Sequence, residues 1–146
     1  MSFLLLAACA ESPVAPGPGL VPGEINVVSD PATAAFKDPA AVVDAEVIDG
    51  DLRLTIEFAG GCTTHAFFLL APPDFGATDE ESTELAVFLR HDDVGDTCEA
   101  VVRETAGFDL KPVRDLVFAT FGEPKMVYLR IHDAPDREYL VHYDPR

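Results

Sequence analysis

From position 43 onward the chain repeats a period of two. Leu52, Leu54, Ile56 and Phe58 alternate with Arg53, Thr55 and Glu57. On an extended backbone that alternation turns one apolar row inward and one polar row to water. A second apolar run, 45–48, precedes it, and Asp49-Gly50-Asp51 lies between. Glycine reaches positive φ without steric cost, so the two runs predict a hairpin. Further extended runs, rich in Val, Phe, Leu, Ile and Tyr, fall at 65–71, 84–91, 98–105, 116–121, 125–132 and 138–143, the composition that a pleated, half-buried surface favours. Breakers separate them: Pro72-Pro73, Gly76, Gly95, Gly107, Gly122 with Pro124, and Pro135. The last two runs predict a second hairpin across Asp133-Ala134-Pro135-Asp136, with Val127, Leu129 and Ile131 on one face and Met126, Tyr128 and Arg130 on the other. Phe67, Phe68, Phe75, Phe88, Phe108, Phe118 and Phe121 are the large core candidates. The segment 108–114 reads as a short helical turn, and no stretch sustains a long helical period without a breaker. About eight short strands joined by turns predict an all-β domain, an antiparallel β-sandwich or small barrel.

The N-terminus carries a different signal. Positions 1–10 read MSFLLLAACA, an apolar run ending in small residues before Cys9. Leu6-Ala7-Ala8-Cys9 resembles the lipobox of bacterial lipoproteins. That resemblance implies cleavage ahead of Cys9 and acylation of its sulfur and amine, the small residues fitting a narrow peptidase pocket. The apolar stretch is short and no Lys or Arg precedes it. A signal peptide has a basic leading region, so the natural chain is expected to start further upstream. Behind Cys9, ESPVAPGPGLVPG holds Pro13, Pro16, Pro18 and Pro22. Proline fixes φ and removes a donor, which suits an extended spacer rather than a strand or helix. The organisation expected is a signal-peptide and lipobox remnant at 1–9, a Pro/Gly-rich tether at 10–24 and a single acidic β-domain at 25–146. Ala10 rather than Asp follows the Cys. By the rule of enteric lipoproteins this implies a lipid-anchored protein of the cell envelope in the outer membrane, facing the periplasm or the cell surface.

Two words carry the remaining chemistry: Gly60-Gly61-Cys62-Thr63-Thr64-His65, and His91-Asp92-Asp93-Val94-Gly95-Asp96-Thr97-Cys98. With Cys9 acylated, two cysteines remain, and in an oxidising compartment an even pair is most simply a disulfide, Cys62–Cys98. The alternative is a zinc site using Cys62, His65, His91 and Cys98, a set of tetrahedral character. The two exclude each other, because a disulfide sulfur is no thiolate ligand. In a strand Cys62 and His65 would point to opposite faces, so a zinc site also needs a loop there. A third reading makes Cys62 a nucleophile with His65 or His91 as base. Asp92, Asp93 and Asp96 share one loop without the order of an EF-hand, which favours a capped, solvated turn over calcium. His132 and His142 read as structural or exposed. The pattern GGCxxHxFxL with a later HxxxxDxCE is similar to that of uncharacterised bacterial envelope proteins, here Gly60-Gly61-Cys62, His65, Phe67 and Leu69, then His91, Asp96 and Cys98-Glu99. That similarity implies location and compactness, not an activity.

Composition narrows the classes. At 146 residues the chain suits one domain. Asp plus Glu number 26 against 10 Lys plus Arg, a formal charge of −16, which repels nucleic-acid phosphates and anionic lipid headgroups. There is no Trp, no apolar run long enough for a membrane-spanning helix, and no HExxH, GxSxG or Walker loop. The expectation is a bacterial cell-envelope lipoprotein with a non-catalytic binding or structural role, held to the membrane by its lipid, with a possible envelope protein as partner. No catalytic residue and no cofactor is expected. A metal-binding protein and a small hydrolase are the alternatives.

Overall fold

The structure, a computed structural model, describes residues 19–146. Cys9, the lipobox and tether positions 10–18 lie outside the described residues. Among the described residues eight strands and two helices follow in the order β1 (Ile25–Val27), α1 (Pro31–Ala34), β2 (Ala41–Ile48), β3 (Asp51–Gly60), β4 (Ala66–Ala71), β5 (Ser82–Asp92), β6 (Ala100–Asp109), α2 (Lys111–Phe121), β7 (Met126–Ala134) and β8 (Arg137–Tyr143). They form two sheets, β1-β4-β5-β7-β8 and β2-β3-β6. This is a sandwich with no closed barrel, so of the two expected architectures the sandwich is the one found. No described helix is long and apolar enough to cross a membrane.

Both expected hairpins are present. β2 and β3 join through Asp49 and Gly50, at φ 51° and 78°; positive φ at both central residues matches the right-handed twist of the flanking strands. β7 and β8 pair antiparallel with a register shift at Asp133. The period-2 rows face one another across the sandwich. Leu52, Leu54, Ile56 and Phe58 of the small sheet meet Leu69, Leu85, Val87, Leu89, Val127, Leu129 and Ile131 of the large one, all buried. At roughly 25 cal/mol per Å² of apolar surface removed from water, this shared core is the main favourable term in folding.

Three features depart from expectation. The run 116–121, read as a strand, belongs to α2, as does part of the expected turn at 108–114. Pro112 stands in the first helical turn, where its missing N–H has no intrahelical partner to lose. Val113 and Val117 share one face and are fully buried, and Gly122 ends the helix at φ 72°. The second departure is strand direction: β1–β4 and β5–β7 run parallel. Between β5 and β7 the chain visits the small sheet as β6 and returns through α2, which makes the parallel pairing possible. The third concerns the phenylalanines. Phe67, Phe68 and Phe108 are buried, but Phe118 on the helix is exposed.

The sheets are also sewn by polar contacts. Asp133, displaced from the ladder at the β7 register shift, accepts a hydrogen bond from Val42 N (2.6 Å) in β2 and another from Arg137 Nε (2.7 Å). At the chain's entry Asn26 bonds both Val21 O and N (2.9 and 2.7 Å) and Leu69 O (3.1 Å), fixing the segment ahead of β1. On the open edge strand β6, Glu104 lies opposite Ile56 on the core-facing side yet is exposed; an inward-pointing charge at an edge opposes pairing with another chain.

Candidate functional site

The informative residues converge at one end of the sandwich, where the chain crosses between sheets. Segment 61–65 leads from β3 to β4, and segment 93–99 leads back from β5 to β6. Cys62 and Cys98 lie in these two crossovers and are joined by a disulfide, their Cα atoms 5.9 Å apart across 36 residues of sequence. The expected pairing is present. The expected strand start at Cys98 is not: the sulfurs sit in loops, and β6 begins at Ala100.

His65 and His91 lie directly beneath. His65 continues the inward-facing row of Phe67 and Leu69, and His91 that of Val87 and Leu89, so both imidazoles take the last core-facing places in their rows. Residue exposure is 7% for His65 and 2% for His91. Their partners form one continuous row. His91 Nδ1 donates to Pro39 O (3.0 Å), His91 Nε2 meets His65 Nδ1 (2.6 Å), and His65 Nε2 meets Asp96 Oδ2 (2.7 Å). The two ring planes differ by 16° with centroids 4.9 Å apart, about the N···N distance plus a ring radius on each side; this is an edge-to-edge bond rather than a face stack. Phe67 stacks on His91 (centroids 4.9 Å, 11°), and Phe58 packs against both histidines.

Asp96 anchors the row, its side chain fully buried. Beyond His65 it accepts hydrogen bonds from Cys98 N (3.0 Å), Cys62 N (3.2 Å) and Thr63 N (3.2 Å). The His65 contact, opposed by burial and reinforced by these three N–H donors, holds its carboxyl far below the usual carboxylate range. Burial pushes the His91 imidazole down, against the raising effect of its bond to Pro39. Gly60 makes room for the pair: a Cβ there would lie 2.6 Å from His65 Nε2 and 2.9 Å from Asp96 Oδ2.

The four residues of the zinc alternative are thus gathered in one place, but their donors are engaged. The sulfurs are bonded to each other, and all four imidazole nitrogens have partners. Cys62 Sγ, Cys98 Sγ and a carboxylate oxygen of Asp96 lie within 4.8 Å of one another, yet oxidised sulfur offers no thiolate. The nucleophile reading of Cys62 is overturned for the same reason: there is no free thiol to activate. The acidic loop is the capped turn expected, with Val94 N, Gly95 N and Cys98 N donating to Asp92, Asp93 and Asp96, but it is not solvated throughout. Asp96 turns inward to His65; Asp92 pairs with Lys37 (2.8 Å), which with one backbone N–H, that of Val94, lowers its carboxyl. His132 and His142 lie apart from this site, against Phe88 and Tyr128.

Beside the row opens a cavity of about 560 Å³. Phe58, Ala40 and Pro39 give it an apolar lining, His91 and Asp96 reach it, and Asp38, Glu57, Asp93, Glu99 and Asp133 surround it against one cation, Arg137. Sequence reasoning found the cysteines and histidines. It missed Asp96 as their anchor, Gly60 as the space for them and Pro39 as the end of the row. The spacing of His91 to Asp96 was the available signal.

No family model and no curated protein matches the sequence. The fold does have relatives among solved structures. A NigD-like immunity protein of Bacteroides caccae superposes at a TM-score of 0.52 and 16% identity, over 86% of this chain and 65% of that one. A protein of Parabacteroides distasonis provisionally called toxin-related gives 0.50 at 20% identity, over 84% and 61%. A Bacteroides fragilis protein provisionally called a lipoprotein is more distant, at 0.46 and 11% identity, over 86% and 70%. The chain spans less than two thirds of the length of the first two. At such identities the likeness is one of fold.

Proposed function

We propose that this chain is a bacterial cell-envelope lipoprotein, tethered through Cys9, whose domain binds a protein partner without catalysis. The disulfide between Cys62 and Cys98 carries the reading, because such a bond persists outside the reducing cytosol. Together with Leu6-Ala7-Ala8-Cys9 and the Pro/Gly-rich stretch behind it, it supports an exported protein held off a membrane by a spacer, with the outer membrane as the anchoring surface. Binding rather than catalysis is supported by the histidine row, whose nitrogens and carboxylate are satisfied among themselves and by backbone. A general base needs a nitrogen free to reach a substrate proton. One structure of similar fold being an immunity protein also suits a binding role. The partner-facing site is the acidic cavity, and its charge, like the −16 of the whole chain, selects a basic protein surface.

Metabolic labelling with palmitate tests the tether. In the bacterial host, label enters the wild-type protein, and Cys9→Ser abolishes it and releases the protein from the membrane fraction. Label that survives Cys9→Ser contradicts the proposal.

A further inference from the structure

The hydrogen-bond row fixes a proton count. Its two ends are acceptors: the Pro39 carbonyl at His91 Nδ1, and the Asp96 carboxylate at His65 Nε2. Both terminal nitrogens must therefore carry hydrogen. The central contact, His65 Nδ1 to His91 Nε2 at 2.6 Å, needs one hydrogen between two nitrogens. Three protons are required, and two neutral imidazoles supply two.

We infer that His65 and His91 share one extra proton, making the pair a buried monocation with Asp96 as counterion, and that this proton is a pH-sensitive clasp across the two sheets. Asp96 is the ionised partner because three backbone N–H groups point at its oxygens and leave no place for a carboxyl hydrogen toward them. The other charges facing the pair are borne by the flanking loops and by strands β3, β6, β7 and β8. Asp38 and Asp93 act on His91; Glu57, Glu99 and Asp133 line the cavity with Arg137; Glu104 shares a small pocket with His65. Acids dominate this set, which favours the monocation. Phe58 and Phe67 cover the rings with uncharged faces.

The row joins three segments: the β3–β4 crossover through His65, the β5–β6 crossover through Asp96, and the approach to β2 through Pro39. Loss of the extra proton leaves one of the three contacts, to Pro39, between the rings or to Asp96, without hydrogen, and the segments that wall the cavity lose one tie. Gain of a second proton puts hydrogen on both nitrogens of the 2.6 Å contact and forces the rings apart.

The direct test is nitrogen NMR of the histidine-labelled wild-type protein at pH 7 to 8. Three of the four nitrogens of His65 and His91 should bear hydrogen; a count of two overturns the inference. Asp96→Asn should lower the count to two at the same pH, and a count that stays at three removes the carboxylate from its role. Should that variant fail to fold, the wild-type count still decides. Linkage gives a second measurement. Between pH 7.5 and 8.5 carboxylates are ionised in both folded and unfolded chains, while unfolded histidines are largely neutral. The folding equilibrium constant should then fall, by up to about tenfold per pH unit. A constant that is flat or rising there overturns the retained proton.

Discussion

Gly60→Ala probes the site through one methyl group. Gly60 ends β3, and its φ lies outside the left-handed region, so the backbone tolerates alanine there. Space is the difficulty. The new Cβ would stand 2.6 Å from His65 Nε2, 2.7 Å from His65 Cε1 and 2.9 Å from Asp96 Oδ2. None of these is the free end of a flexible chain. The imidazole is bonded at both nitrogens and packed on Phe58, and the carboxylate is bound by three backbone N–H groups. Relief requires shifting the row, so an overpacking cost of about 2 kcal/mol is expected. For a domain of this size that lowers Tm by about 4–8 °C. Gly107→Ala supplies the control: it is also in a strand at ordinary φ, with no atom within 4 Å of the added Cβ. Its effect should lie between zero and about 1 kcal/mol of stabilisation, through the unfolded chain. Urea unfolding of both variants, with the cycle Gly60→Ala, His65→Ala and the double variant, measures the difference. In the His65→Ala background the Gly60→Ala cost should shrink by at least half. Equal stability of the Gly60 and Gly107 variants would refute the crowded geometry of the row.

Acidification should weaken the fold in two stages. The pair keeps its one proton, but burial opposes a second and holds His91 below its ordinary 6.5, so as pH falls through 6.5 the unfolded chain binds one more imidazole proton than the folded one. Asp96 is held below its ordinary 3.8, so its contribution, present above that value, is lost as pH falls further; denaturant midpoints from pH 7 to 3 report both. Asp133→Ala should cost about 2 kcal/mol by chemical denaturation, since Val42 N–H and Arg137 lose their shared acceptor where β2 meets the β7–β8 hairpin. Val94, an exposed β-branched residue at φ 55°, should be improved by Val94→Gly, which relieves about 1 kcal/mol of left-handed backbone strain and raises Tm. Reducing the disulfide, or Cys62→Ser with Cys98→Ser, should cost about 4 kcal/mol for a loop of this length, read from the denaturant midpoint.

Much of the architecture was legible because burial alternates strictly along β3, β5 and β7. The Asp49-Gly50 turn and the breakers fixed where strands end. The helix α2 was not legible. Its apolar residues Leu116, Val117, Phe118 and Phe121 sit close enough together to imitate a strand, and Pro112 counts as a breaker until it is seen to occupy the first turn. The parallel pairings were hidden as well, since alternation records which face a side chain takes and not the direction of its neighbour. At the site, both histidines lie in phase with apolar rows, which the sequence shows. Asp96 sits in an irregular loop with positive φ at Val94 and Gly95, where no period predicts direction, and its inward turn became visible only in the structure.

Intact-mass analysis of the protein drawn from bacterial membranes, alkylated in denaturant without reductant, tests the account at its centre. The predicted species starts at Cys9, carries acyl chains, and takes up alkylating agent at Cys62 and Cys98 only after reduction. A chain without acyl groups, alkylated at all three cysteines before any reductant is added, would contradict it.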